Sequence, residues 1–156
     1  MSHEARVNEL KLELPNRPRP LGAYKPVLVV DGLAYVSGHG PVAADGTGTC
    51  GRLGETLDKE AGYEAARQVA LNMLGTLRQH FGSLDAILRL VKTTGFVSAT
   101  PDFKDHPAVV NGFSELMRDV FGPEEGLGAR SAVGVASLPL GWAVEIEAVF
   151  QVSASE

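Results

Sequence analysis

The chain has one cysteine, Cys50, in 156 residues. A lone thiol excludes an intrachain disulfide framework and is compatible with a reducing compartment. His3, His80 and His106 lie far apart, with no His-x-x-x-His or Cys-x-x-Cys spacing, so no metal is expected. A Gly-Lys-Ser/Thr phosphate loop is missing too. Gly46-x-Gly48-x-x-Gly51 has the spacing of a dinucleotide fingerprint, but it neither follows a clear strand nor opens a helix. No cofactor is therefore expected. Basic residues are in the minority: Lys plus Arg is 14 against 19 for Asp plus Glu, a net charge of −5. That balance speaks against general binding to a phosphate backbone, and nucleic acid is not an expected partner. No apolar run approaches the length of a membrane span, and the first residues lack the basic-then-apolar layout of a signal peptide. No membrane contact and a cytoplasmic location are the expectations.

What is present suits one globular domain with a real core. Residues 1–20 are polar, carry Pro15, Pro18 and Pro20, and read as an arm with one helical turn around Asn8 to Leu14. The domain proper spans 21–153. Val27 to Val30 and Leu33 to Ser37 are short β-branched runs separated by Asp31-Gly32, a strong type I′ hairpin signal. Residues 38–58 hold glycines 38, 40, 46, 48, 51 and 54 and read as an extended loop, mobile or functional. From Lys59 to Phe81 the apolar period is helical, with Ala66, Ala70, Met73, Leu74, Leu77 and Phe81 in one stripe and Gly82 as the stop. A strand is expected from about Ile87 to Val97, a turn at Thr100-Pro101-Asp102, and a second helix from His106 to Phe121.

The last stretch, Ala129 to Val152, reads as a hairpin: Ser131 to Ser137, a Pro139/Gly141 turn, then Trp142 to Val152. In the second run Trp142, Val144, Ile146, Ala148, Phe150 and Val152 point one way, and Ala143, Glu145, Glu147 and Val149 the other. The order β-β-α-β-α-β-β predicts an α+β fold: a single mixed β-sheet with two helices on one face. Apolar residues crowd both sides of several strands, so the uncovered face suggests burial against further subunits.

A carboxylate inside an otherwise apolar strand is expensive unless paired or useful, and that singles out Glu145 and Glu147. Arg130 opens the preceding strand. Its planar fork suits a ligand carboxylate, and on spacing alone an ion pair with Glu145 or Glu147 is an equally open reading. Tyr24 precedes the first hairpin and offers a ring and a hydroxyl. Ser37-Gly38 is either a ligand-facing strand end or a common turn dipeptide. His39 is either a titrating group near a cleft or a polar loop residue.

Several motifs in order carry a resemblance: Leu21-Gly22-x-Tyr24, Val36-Ser37-Gly38-x-x-Pro41, Val110-Asn111, Ala129-Arg130-Ser131, Val133 to Pro139 and Val144 to Ala148. Together they resemble the YjgF-type, or Rid (reactive intermediate/imine deaminase), family, in a longer branch with an extended loop. The resemblance covers roughly residues 21–152. It implies a chorismate-mutase-like fold assembled as a homotrimer with inter-subunit clefts. It further implies that Arg130 binds a substrate carboxylate, that Glu145 holds the attacking water, and that Asn111 faces the cleft. The family often has a cysteine where this chain has Ala132. Thiol chemistry there is excluded, while the backbone carbonyl credited with binding the water is retained. Glu147 matches no assigned role. The expected activity is hydrolysis of small imines or enamines derived from amino acids, giving keto acids and ammonia, with a small carboxylated imine, enamine or keto acid as partner. The alternatives are an endoribonuclease-like activity and a non-enzymatic trimeric metabolite-binding module.

Overall fold

The computed structural model describes residues 1–16 and 20–154; Pro18 of the proline-bearing arm lies outside them. The elements are α1 (His3–Glu9), β1 (Val27–Val30), β2 (Leu33–His39), α2 (Lys59–Phe81), β3 (Ile87–Ser98), α3 (His106–Phe121), β4 (Ala129–Val135) and β5 (Val144–Val152). They build one five-stranded sheet in the order β1-β2-β5-β3-β4, antiparallel except for the β3/β4 pair.

Local chemistry explains most boundaries. Asp31 and Gly32 both take positive φ, 51° and 76°, as a two-residue I′ turn between β1 and β2 requires. Asp58 caps α2 by accepting the Ala61 N–H at 2.8 Å, and Gly82 ends it in the left-handed conformation. The stripe from Ala66 to Leu77 is buried against the sheet. The α2 and α3 helices approach closely at two glycines: a Cβ at Gly62 would press on Val109, and one at Gly112 would run into the Tyr63 carbonyl.

Three expectations change. The expected C-terminal hairpin does not form: β3 stands between β4 and β5, parallel to one and antiparallel to the other. Alternation and a Pro-Gly turn are equally compatible with a link that steps over a neighbouring strand. Burial decides between them. Val144, Ile146, Ala148, Phe150 and Val152 are all buried, which calls for an interior strand, whereas β4 has no buried residue and suits an edge.

Among the described residues there are three α-helices rather than two. The arm is helical at His3–Glu9, not around residues 8–14, and Val7 is buried. Glu4 accepts the Leu84 N–H at 2.8 Å, and Arg6 Nε donates to the Asp119 carbonyl at 2.8 Å. Leu10, Leu12 and Leu14 pack on the core, and Pro15 lies over α2 where only Gly75 leaves room.

The 38–58 loop is anchored along its length. Asn72 Nδ2 donates to the carbonyls of Gly40 and Val42, both at 2.9 Å, and Leu53 is fully buried between residues 98 and 100 through paired backbone hydrogen bonds. Trp142 covers Gly40 and Gly48. The reading as a mobile insertion followed the glycine count. Those glycines instead admit the Trp142 ring and tight turns.

Candidate functional site

The strand register sorts the sequence candidates onto two faces. Thr93 pairs with both Arg130 and Ala148, and Ala148 is buried beneath the helices, so Arg130 projects to the helix face. Phe96 pairs with Glu145 and Thr94 with Glu147, one position out of phase, so both carboxylates lie on the open face. Within one chain, then, Arg130 and Glu145 do not meet.

Arg130 sits on the edge strand against the first turns of α3. Its Nη1 donates to Asn111 Oδ1 at 2.8 Å and to Ser114 Oγ at 3.2 Å, and its Nη2 donates to the Pro107 carbonyl at 3.4 Å. All three acceptors are neutral. No ion pair among the described residues includes Arg130, so the pairing with Glu145 or Glu147 does not occur. Partial burial lowers the guanidinium's pKa from its ordinary value. Three of the five guanidinium N–H groups are engaged. Among the described residues no acceptor bonds Nε–H or the second Nη2–H. Asn111 therefore belongs to this corner as an orienting acceptor. Ser114, unnoticed in the sequence, lies three residues further on the same helix face, and that spacing was the available signal. Ala132 is half-buried on the same strand, paired with Gly95.

The second corner is built at the end of β2. Val36 pairs with Ala148 but His39 pairs with Ile146, so Ser37 and Gly38 together face Glu147, a β-bulge. Glu145 lies against Gly38: any Cβ there would collide with its carboxylate. Burial, then repulsion from Glu147, raises the Glu145 pKa from its ordinary value. Ser37 is committed internally. Its N–H donates to the Pro26 carbonyl at 2.9 Å and its hydroxyl to the Lys25 carbonyl at 2.7 Å. This ties the segment carrying Tyr24 to the bulge, with the Tyr24 side chain half exposed.

His39 is not a loop residue. It ends β2 and faces α2, with Nε2 2.7 Å from the hydroxyl of buried Thr76. Cys50 is exposed, with Sγ 3.4 Å from the Leu140 carbonyl. Among the described residues no group of three or more His, Cys, Asp or Glu is placed to hold a metal ion.

A family model described as endoribonuclease L-PSP matches residues 14–152. Protein TCP17 of Trypanosoma cruzi is 37% identical over 149 residues, covering 96% of this chain and 93% of that protein. The crystal structure of Atu1372 from Agrobacterium tumefaciens, of unknown function, superposes with a TM-score of 0.87 at 36% identity, covering 97% of this chain and 92% of that one. YyfA of Yersinia pestis, a Rid-family protein of unknown function, gives a TM-score of 0.62 at 29% identity, with 90% and 97% covered. The match runs through the Tyr24, Ser37-Gly38, Arg130 and Glu145 segments, and the chain belongs to the endoribonuclease L-PSP, or YjgF/Rid, family.

Proposed function

We propose that the protein hydrolyses small imines or enamines derived from amino acids to keto acids and ammonia, in clefts shared between copies of a homotrimer. The observation that carries this reading is the state of Arg130: a guanidinium oriented by three neutral acceptors, with no carboxylate partner among the described residues and N–H donors to spare for a ligand carboxylate. The Glu145 corner lies on the opposite face. A second copy completes the site by bringing its Tyr24, Gly38 and Glu145 to the first copy's Arg130.

The chemistry asks little of the protein. An iminium carbon is already electrophilic, so orientation and electrostatics suffice. Arg130 holds the α-carboxylate. Glu145, as carboxylate, takes a proton from the water as the oxygen–carbon bond forms and the C=N pair moves onto nitrogen. Glu145 passes that proton to nitrogen, and as the carbonyl forms and the carbon–nitrogen bond breaks it takes the hydroxyl's remaining proton, which leaves with the released ammonia while the keto acid departs. The Ala132 carbonyl accepts a hydrogen bond from the water's second O–H, and Tyr24 covers the substrate. Burial, then the neighbouring Glu147, raises the Glu145 pKa, which makes its carboxylate the stronger base. The test generates 2-iminopropionate or 2-iminobutyrate in situ and follows decay. Acceleration over buffer is expected; none for these, nor for aromatic or acidic imines, refutes the reading.

The family's description raises a second activity, cleavage of RNA. The net charge of −5 speaks against it. Binding of a labelled single strand at two salt concentrations separates the two, because phosphate contacts impose a steep salt dependence.

A further inference from the structure

The β2 bulge decides which way two side chains point. With Val36 opposite Ala148, an uninterrupted ladder would set His39 opposite Glu145, on the open face. The extra residue turns His39 through the sheet toward α2 and leaves Gly38 beside the Glu145 carboxylate. His39 is bonded on both sides of its ring. Nδ1 lies 2.7 Å from the Ser37 carbonyl, and Nε2 lies 2.7 Å from the Thr76 hydroxyl. A carbonyl only accepts, so Nδ1 carries a hydrogen and donates it. In the neutral ring Nε2 then accepts from Thr76, which is 1% exposed. The imidazole thus clamps the bulge to the buried face of α2, in its C-terminal half.

We propose that His39 is a positioning residue for Glu145: by bridging Ser37 and Thr76 it holds the bulge, and the bulge holds Gly38 against the carboxylate. The inference rests on Glu145 being the proton acceptor of the hydrolysis proposed above. Without the ring, the Ser37 carbonyl and the buried Thr76 hydroxyl both lose a partner. The bulge then relaxes toward regular pairing, which turns position 39 to the open face and removes the Gly38 backbone from Glu145. The charged groups sharing that face are Glu147 on the same strand, Lys92 on β3 and Lys25 beside Ser37.

The experiment reads Glu145 directly, by carboxyl carbon NMR titration of the full chain, its resonance assigned by its loss in Glu145→Gln. In His39→Ala the midpoint is expected to fall toward the ordinary glutamate value. In His39→Gln, whose amide can donate to Ser37 and accept from Thr76, the wild-type midpoint should return. In imine hydrolysis, His39→Ala should lose kcat by roughly 10- to 100-fold with little change in KM, and His39→Gln should recover most of it. If His39→Ala does not fold, Thr76→Val breaks the same bridge at its other end and should move the midpoint in the same direction. A folded His39→Ala or Thr76→Val protein with the wild-type midpoint overturns the proposal. A moved midpoint in a protein without imine turnover upholds the positioning and refutes the deaminase reading instead.

Discussion

Burial shifts both Arg130 and Glu145 toward their neutral forms, but their polar surroundings differ. The cation is oriented by Asn111 and Ser114, while the carboxylate is held in a setting that favours its neutral form. Arg130→Lys keeps the charge and gives up the fork. The expected cost is about 1.5–3 kcal/mol, some ten- to over a hundred-fold in kcat/KM for an imino acid, with an imine lacking the carboxylate nearly indifferent. Wild-type turnover of imino acids by this variant would remove Arg130 from the site. For Glu145 the folded pKa is raised above the unfolded value by burial and by Glu147. The folded state therefore binds more protons between the two values, and stability falls as pH rises through that window. Glu145→Gln should accordingly melt higher than wild type at pH 7, and the gain should vanish below the unfolded glutamate pKa; scanning calorimetry at the two pH values measures this. In the active protein the acid limb of kcat/KM should lie above the ordinary glutamate range and move down in Glu147→Gln.

At the scale of elements, glycines set how closely layers approach. Gly112 sits where the α3 backbone meets the Tyr63 carbonyl of α2. Gly112→Ala brings a helix-propensity gain of about 1 kcal/mol, yet it must push two buried helices apart. Overpacking of this kind costs about 1–3 kcal/mol and has only backbone to press on, so a lower urea midpoint at unchanged m-value is expected. A raised midpoint would show that the interface has slack. The α2 and α3 helices and the first hairpin were legible in the sequence because period, stop signals and Asp31-Gly32 are local signals. The pairing of β4 was not, since nothing within Ala129–Val135 distinguishes a neighbour in β5 from one in β3.

For the whole molecule the open face of the sheet is the deciding feature. Leu28, Val30, Tyr35 and Val133 on it are 46%, 48%, 47% and 42% exposed. No helix among the described residues is long and apolar enough to cross a membrane. A second and third copy of the chain are the cover proposed for this face, and they also unite the two corners of the site. Sedimentation equilibrium at micromolar concentration should return the mass of a trimer, and a monomer mass refutes the assembly. Tyr35→Asp, which puts a charge in the middle of the face, should dissociate it and abolish imine hydrolysis together.

The sequence by itself determined the limits of α2 and α3, the I′ turn, the alternating faces of β5 and the family. These are properties of a residue and its near neighbours, written in periods of 2 and 3.6 and in turn chemistry. Tertiary structure alone decided the strand order, the anchoring of the 38–58 loop, the place of the arm, and the face each functional side chain takes. One inserted residue at Ser37-Gly38 turns His39 from the Glu145 face to the helix face, and one strand of displacement separates Arg130 from the carboxylate it was expected to neighbour. Such choices depend on which distant surfaces bury one another. No local pattern records that, because the same alternation is satisfied by any partner that covers its apolar side.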